Sequence, residues 1–398
     1  MARLTHEELQ ALMEKEGVDR IWSWSKINCF HTSPYEYYLK HIKKVKEDRA
    51  NSIYVTTGGM AHEILEKLYT NEITYEQMVD LFEDGWLVAV DIADLKFDRS
   101  DEERNNKIKD KYHYDLVHFF SHHTPLSNKP IIEQFTKVKL GGNLFQGYID
   151  LVFKDDEGCI TIQDWKTSSI YKGSKAENES GQLVLYAISL MQQGVSRDKI
   201  KIRWNFLKYV SVECEQKNGK VKERQIERCE IGESLQTSAR TWLNHFGYEP
   251  DEYLKNMLDT NGIDCLPDEV KAKFNISDCY VYVDLTENLI NKWTEHAITV
   301  IKDIELREAD YAETQSDACF YDTDESVKEQ SYYFANLCGY SRNLHKPYDA
   351  YCKRLEAAQN GVDLLEGLGL GHNAVSSSGN VINNKSDDLD LSWLDQIV

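Results

Sequence analysis

Residues 131–167 read IIEQFTKVKLGGNLFQGYIDLVFKDDEGCITIQDWKT. Short β-branched and aromatic runs alternate there with the turn signals Gly141-Gly142-Asn143 and Asp155-Asp156-Glu157-Gly158, which predicts three strands in an antiparallel meander. Asp150 falls in GYIDLVF, and Asp164 and Lys166 follow in QDWKT. Side chains two apart on a strand share a face, so Asp164 and Lys166 point one way and Trp165 the other. A turn at 154–158 can bring Asp150 alongside them. Both acids have apolar neighbours (Ile149, Leu151, Val152; Ile160, Ile162, Trp165), so they belong to core strands, where a carboxylate is costly unless paired or bound to a metal. Two carboxylates and a lysine converging in this way suit Mg²⁺ or Mn²⁺, with an ammonium beside an attacking water. A bare D-x-K tripeptide is common, and its plain reading is a turn cap beside a surface ion pair; the core-strand context argues against that here.

Upstream, Thr56-Thr57-Gly58-Gly59 opens a helical run, MAHEILEKLY, with Met60, Ile64, Leu65 and Leu68 on one face and His62 on the same helix. Further helices are predicted near 75–90 and 101–120. Downstream, Gln182 to Met191 has helical spacing, with Gln182 and Tyr186 one turn apart. Residues 200–212 and 221–231 flank Lys217-Asn218-Gly219-Lys220, a hairpin signal that predicts a type I′ turn. From about Glu233 the chain reads as helical, with a long amphipathic segment near 285–307. At the N-terminal side, the stretch 21–45 is broken at Ser33-Pro34, with a second helix after the proline. Lys40, Lys43, Lys44, Lys46 and Arg49 form a basic edge, and Trp22, Trp24, Tyr35 and Tyr37 are candidates for stacking on bases, with core packing as the plainer reading.

The 398 residues carry 46 Lys+Arg against 67 Asp+Glu, a formal charge of −21, which argues against coating nucleic acid by net charge. Residues 355–398 hold seven acidic residues and one lysine, a net −6. Nine cysteines, an odd number, do not form a secreted disulfide framework. No apolar run is long enough to span a bilayer and the first residues show no signal-peptide pattern, so a soluble, cytoplasmic protein without membrane association is expected. No G-x-x-x-x-G-K-[ST] occurs, so the sequence offers no P-loop motor.

GYID (147–150), DWKTS (164–168) and QLVLYA (182–187), preceded by GGMAHEILEKLY (58–69), together resemble the PD-(D/E)XK nuclease superfamily, and within it the RecB/AddB-like exonuclease branch with its phage and CRISPR-adaptation relatives. The resemblance runs from SWSKINCF near residue 23 to about 210, and more loosely to about 352. It implies an α/β fold, a restriction-endonuclease-like mixed sheet core flanked by helices, with helical N- and C-terminal regions. The implied division is a helical region over 1–50, a nuclease core with a hairpin extension over 51–232, a C-terminal helical region over 233–366 and a flexible acidic tail over 367–398. It implies His62, Asp150, Asp164 and the Trp165 backbone carbonyl as ligands of Mg²⁺ or Mn²⁺, Lys166 as the catalytic lysine, Gln182 and Tyr186 as residues that orient it and contact the scissile strand, and Glu133 as an acid behind the ligands.

The implied activity is metal-dependent DNA hydrolysis, exonucleolytic at ends or single strands, in replication, recombination or repair, in a bacterial host cytoplasm if phage-encoded. Relatives in this branch hold an iron–sulfur cluster. Here Ser33 precedes the N-terminal proline and Ser341 replaces a cysteine after Cys338, so a cluster is not expected, although Cys29, Cys319, Cys338 and Cys352 are its possible ligands. The tail end DDLDLSWLDQIV is a candidate hook for a helicase, a single-strand-binding protein or another replication or recombination protein. The alternatives are a catalytically quiet, nuclease-derived scaffold and a DNA-mimicking factor acting through its acidic surface.

Overall fold

The computed structural model describes residues 4–49 and 53–367. The acidic tail and its hook therefore lie outside the described residues, apart from Gly367. The described residues divide into two compact units, one holding 4–24 and Ile53–Ile298, the other 25–49 and 299–367.

The first unit is built on one mixed sheet. Strands β2 (Ile131–Leu140), β3 (Asn143–Lys154) and β4 (Ile160–Lys166) form the expected antiparallel meander. After β4 the chain runs through the helix Ser174–Glu179 and a longer helix before β5 (Ile200–Glu215), which lies parallel to β4. Parallel neighbours need such a crossover, and this one lays a helix on the face that carries Asp164. The short β1 (Ile21–Ser23) runs parallel to β3, whereas β6 (Val221–Glu227) and β7 (Phe274–Val283) both pair antiparallel with β5. A mixed sheet flanked by helices is the architecture the resemblance implies.

Helices α1 (Ile53–Tyr69), α2 (Gln77–Trp86), α3 (Glu102–His122) and α4 (Gly181–Gln192) position the site. The first three cover one face of the sheet, where Leu151, Phe153, Trp165 and Leu207 pack with Leu65, Phe82 and Phe119 among others in a buried core. On the other face α4 is tied to β2 by a Thr136–Ser189 hydroxyl bond of 2.5 Å and by Gln192, whose amide bonds Lys139. A separate core forms where the outer halves of β5, β6 and β7 meet the helices Ile231–Phe246 and Pro250–Thr260.

Three local features differ from the sequence reading. The region after Glu233 contains β7; its run Tyr280-Val281-Tyr282-Val283 has strand chemistry, which the helical periodicity on either side obscured. The hairpin turn is not type I′, because Gly219 has a positive φ of 77° but Asn218 does not. Instead Gly219 N–H bonds Gln216 O and Gln216 N–H bonds Lys220 O, a three-residue loop ending on a left-handed glycine. The His62 helix also begins at Ile53, before the Thr-Thr-Gly-Gly segment.

In the second unit, Ser33 caps the short helix Pro34–Tyr37 by accepting from Glu36 N–H, with Pro34 in the first turn, where its missing N–H costs nothing. The helices Asp324–Glu329 and Lys346–Gly367 also belong to this unit. Among the described residues no helix is long and apolar enough to cross a membrane.

Candidate active site

The pleat of the sheet sets the site. Val152 pairs with Ile162, so Asp150 and Asp164, each two residues away along its strand, share a face, and Lys166 stands two further along β4. All three are buried. Lys166 Nζ lies 2.9 Å from Asp164 Oδ2, within ion-pair distance, although that oxygen has no partner in hydrogen-bond alignment. Asp150 Oδ2 accepts from the Trp165 backbone N–H at 3.1 Å, so the third strand grips the carboxylate of the second. Burial pushes the Asp150 carboxyl well above the ordinary range; His62 and Lys166 oppose the shift and the Asp164 charge adds to it.

His62 reaches this group from α1. Its Nε2 is 2.9 Å from the Trp165 carbonyl oxygen and its Nδ1 is 3.5 Å from Asp150 Oδ2. The Trp165 ring points to the opposite face and is fully buried, which anchors β4 at the residue whose main chain serves the site.

Gln182 and Tyr186 occupy the first two turns of α4. Tyr186 Oη donates to the Tyr148 carbonyl at 2.7 Å and accepts from Gln182 Nε2 at 3.0 Å. The pair therefore clamps β3 two residues from Asp150. The glycine of GYID has a reason to be there: a Cβ at Gly147 would lie 2.5 Å from Tyr186 Cε1. Burial raises the Tyr186 hydroxyl far above its ordinary pKa, and the charges of Asp150, Asp164 and Glu133 push the same way.

Glu133 is the residue whose placement the sequence least disclosed. Ile132 pairs with Leu151 and Gln134 with Ile149, so Glu133 stands opposite Asp150, with a left-handed φ of 48° inside a strand. A buried glutamate held in that sparsely populated conformation is a feature that clusters at functional sites. The family resemblance pointed to Glu133 as an acid behind the ligands, but nothing in the sequence disclosed its backbone conformation.

The donor set suits a hard divalent cation. It offers two carboxylates, a main-chain carbonyl and an imidazole nitrogen, and the buried Asp164 Oδ2 lacks an aligned hydrogen-bond donor. His62 Nε2 and the Trp165 carbonyl oxygen lie 2.9 Å apart, at hydrogen-bond distance, so the two atoms face each other.

Residues 21–322 match the PD-(D/E)XK nuclease superfamily. The chain belongs to that superfamily. Its members are nucleases, and DNA is the substrate class this membership implies. Among solved structures the chain is similar to a protein from Eubacterium rectale that carries an exonuclease assignment, at 12% identity over 65% of this chain and 88% of that one, with a TM-score of 0.28. It is also similar to the protein SSO0001, at 14% identity over 49% of this chain and 73% of that one, with a TM-score of 0.16. No curated protein matches.

Other expected functional groups of this superfamily member lie elsewhere. In the second unit the Ser33 hydroxyl donates to Asp322 Oδ2 at 2.9 Å and lies 3.2 Å from His345 Nε2, while the Ser341 hydroxyl bonds Asp48. Cys338 Sγ donates to Glu36 Oε2 and Cys319 Sγ to the Ser316 carbonyl. Among the described residues, three metal-ligating side chains gather within 4.8 Å of one another at Asp115/Glu227/Cys229 and at Asp155/Glu157/Cys159; the structure brings neither Cys29, Cys319, Cys338 and Cys352 nor His62, Asp150 and Asp164 that close together.

The proposed stacking aromatics are largely structural. Trp22, Tyr35 and Tyr37 are buried, and Trp24 packs edge-on against Trp293 with its ring over Gly181. The basic edge is partly committed as well: Lys40 pairs with Glu47 at 3.3 Å, and Arg49 turns to the carbonyls of Phe334 and Ala335. In the hairpin, Lys201 pairs with Asp155 and Glu157, and Arg228 is buried against Asp278.

Proposed function

We propose that this superfamily member is a divalent-metal-dependent deoxyribonuclease of the RecB/AddB-like kind, an exonuclease acting at DNA ends or single strands in replication, recombination or repair. The observation that carries the reading is the meeting of buried Asp150, Asp164 and Lys166 on β3 and β4 with the half-buried His62 of α1 and the Trp165 carbonyl.

Asp150, Asp164, His62 and the Trp165 carbonyl would hold Mg²⁺ or Mn²⁺. Such an ion, when bound, offsets charge on the phosphate and lowers the pKa of water. Lys166 would leave its ion pair with Asp164 to orient the attacking water and face the negative charge that develops on the scissile phosphate. Tyr186 and Gln182 keep β3 in place, and Glu133 adds negative charge opposite Asp150. The acidic surface makes binding sensitive to salt and favours delivery of the substrate by a partner such as a helicase or single-strand-binding protein, with the acidic tail as the docking segment.

The test uses end-labelled linear DNA and circular single- and double-stranded DNA, with Mg²⁺ or Mn²⁺ and an EDTA control. Loss of linear DNA alone, abolished by EDTA, is the expected outcome. Cleavage of circles would overturn the exonuclease assignment, and no cleavage of any substrate would overturn the enzyme reading in favour of a binding protein. Removal of residues 380–398 should leave turnover on naked DNA unchanged and weaken capture of the partner.

A further inference from the structure

The face of the sheet that points away from the carboxylates holds a second polar arrangement, directly behind Trp165. In the β4–β5 register Gln163 pairs with Arg203 and Trp165 with Asn205, so the four side chains stand on alternate positions of one face. The Tyr69 ring lies nearly parallel to the Trp165 ring, with centroids 6.2 Å apart. Asn205 is fully buried, at 0% exposure, and Arg203 is 6% exposed.

Arg203 donates from Nε to Gln163 Oε1 at 2.7 Å and from Nη1 to Tyr282 Oη at 2.6 Å, and its guanidinium lies 3.7 Å from the Tyr280 ring centroid. Its remaining nitrogen, Nη2, has no protein partner, and the same holds for Trp165 Nε1 and for both polar atoms of Asn205. The strands part beside this place: Asn205 pairs with Tyr280, but the next β5–β7 pair is Val210 with Asp278.

Four buried polar atoms on such neighbouring positions are unlike the rest of a protein interior, where nearly every buried donor or acceptor is satisfied by protein or ordered water. An amide offers one acceptor and two donors, whereas the indole and guanidinium only donate. Asn205 is thus the one member of the group that can accept from the others, directly or through a water that relays the bond.

We infer that Asn205 is a positioning residue of the active site, which together with buried water ties Trp165 Nε1 to Arg203 Nη2 and fixes β4 at Trp165. The inference rests on the active-site reading above, because the Trp165 backbone N–H holds Asp150 and its carbonyl faces His62. A tryptophan free to shift would move a metal ligand and the grip on another.

The experiment compares Asn205→Leu, Trp165→Phe, the double variant and Asn205→Asp in the full chain. Mn²⁺ binding is read by water-proton relaxation without DNA, and kcat and KM are read separately on linear DNA. Asn205→Leu and Trp165→Phe should each weaken Mn²⁺ binding about tenfold, the usual scale for outer partners of metal ligands, with KM for DNA unchanged. The double variant should be no worse than the worse single, and Asn205→Asp, which keeps the acceptor, should bind Mn²⁺ like the wild type. A crystal structure should show water bonded to Asn205 and Trp165 Nε1. Wild-type Mn²⁺ affinity in Asn205→Leu, or additive losses in the double variant, would overturn the inference. If Mn²⁺ binds as expected but nothing cleaves DNA, the nuclease reading fails and the positioning role stands.

Discussion

Two polar groups, one in each unit, are both built on buried carboxylates beside a histidine and differ in their other partners. In the first, Asp150 and Asp164 face a lysine and a histidine, and a carboxylate oxygen is left without an aligned donor. In the second, Asp322 accepts from the Ser33 hydroxyl beside His345, and Glu36 accepts from the Tyr333 hydroxyl and the Cys338 thiol. Burial raises the carboxyl pKa in both. The first group sets its acids beside a lysine and a histidine; the second sets its acids beside neutral hydroxyl and thiol donors, with Asp322 Oδ1 likewise left without a donor, which suits carboxyls that hold a proton. The partners of a buried carboxylate, more than its burial, separate a site from a structural network.

The largest effect that could break this comparison is at Lys166 and Asp150. Lys166→Ala should lower turnover on linear DNA by at least about 10²-fold, the scale of a lost proton-transfer or charge-stabilising group. Asp150→Asn should be as inactive yet melt no lower than the wild type, because it removes a buried charge while keeping the shape. An Asp150→Asn protein that melted far lower would show this acid to hold the fold rather than to serve a reaction.

The next effect reverses the pattern. Ser33→Ala removes a helix cap and the donor to Asp322, and should cost about 1–2 kcal/mol of stability, read by chemical denaturation. Asp322 then supplies a pH signature. Its carboxyl is pushed up from 3.8 to about 7 by burial, so the folded state holds a proton that the unfolded state releases. The stability tied to that proton is fully present below about pH 4 and is lost as pH rises through 7. His345 is depressed to about 4 by burial, so its contribution is present above 6.5 and falls as pH drops through 4, against the trend of Asp322. Comparing Asp322→Asn with the wild type isolates the acid: the two should melt alike near pH 4, and the asparagine variant should melt higher at pH 8. An equal difference at both pH values would remove the neutral-acid picture.

The meander, the shared face of Asp164 and Lys166 and the helical spacing of Gln182 and Tyr186 were legible because strand and helix periods translate directly into direction. Gly147 was legible in part, since a glycine within a strand signals a close approach, though not that Tyr186 is what approaches. Glu133 was named through the family resemblance alone, because its backbone angle and its place across from Asp150 depend on register. Core packing of Trp22, Tyr35 and Tyr37 was the plainer reading and is what the structure shows, whereas the internal pairing of Lys40 was not legible for a related reason. Composition reports which side chains can meet DNA, whereas tertiary packing decides which have already met something else. Asn205 shows the same limit, because a polar residue within an apolar strand run signals a partner without naming it.

The smallest expected effect tests whether the second unit keeps any metal-binding function in its cysteines. Cys319 is part-exposed, and its thiol donates to the Ser316 carbonyl at 3.0 Å, a bond that a serine hydroxyl can also make. Cys319→Ser should therefore change stability by no more than about 0.5 kcal/mol, as surface substitutions usually do, and leave the visible absorption spectrum of the purified protein unchanged. Cys338→Ser is the sharper control, because Cys338 is fully buried against Glu36 and a shorter hydroxyl must reach the same oxygen. A network of neutral donors predicts a modest loss at Cys338 alone. A cluster held by both residues predicts equal loss of stability and colour in the two variants, and that result would make the second unit a metal-binding region.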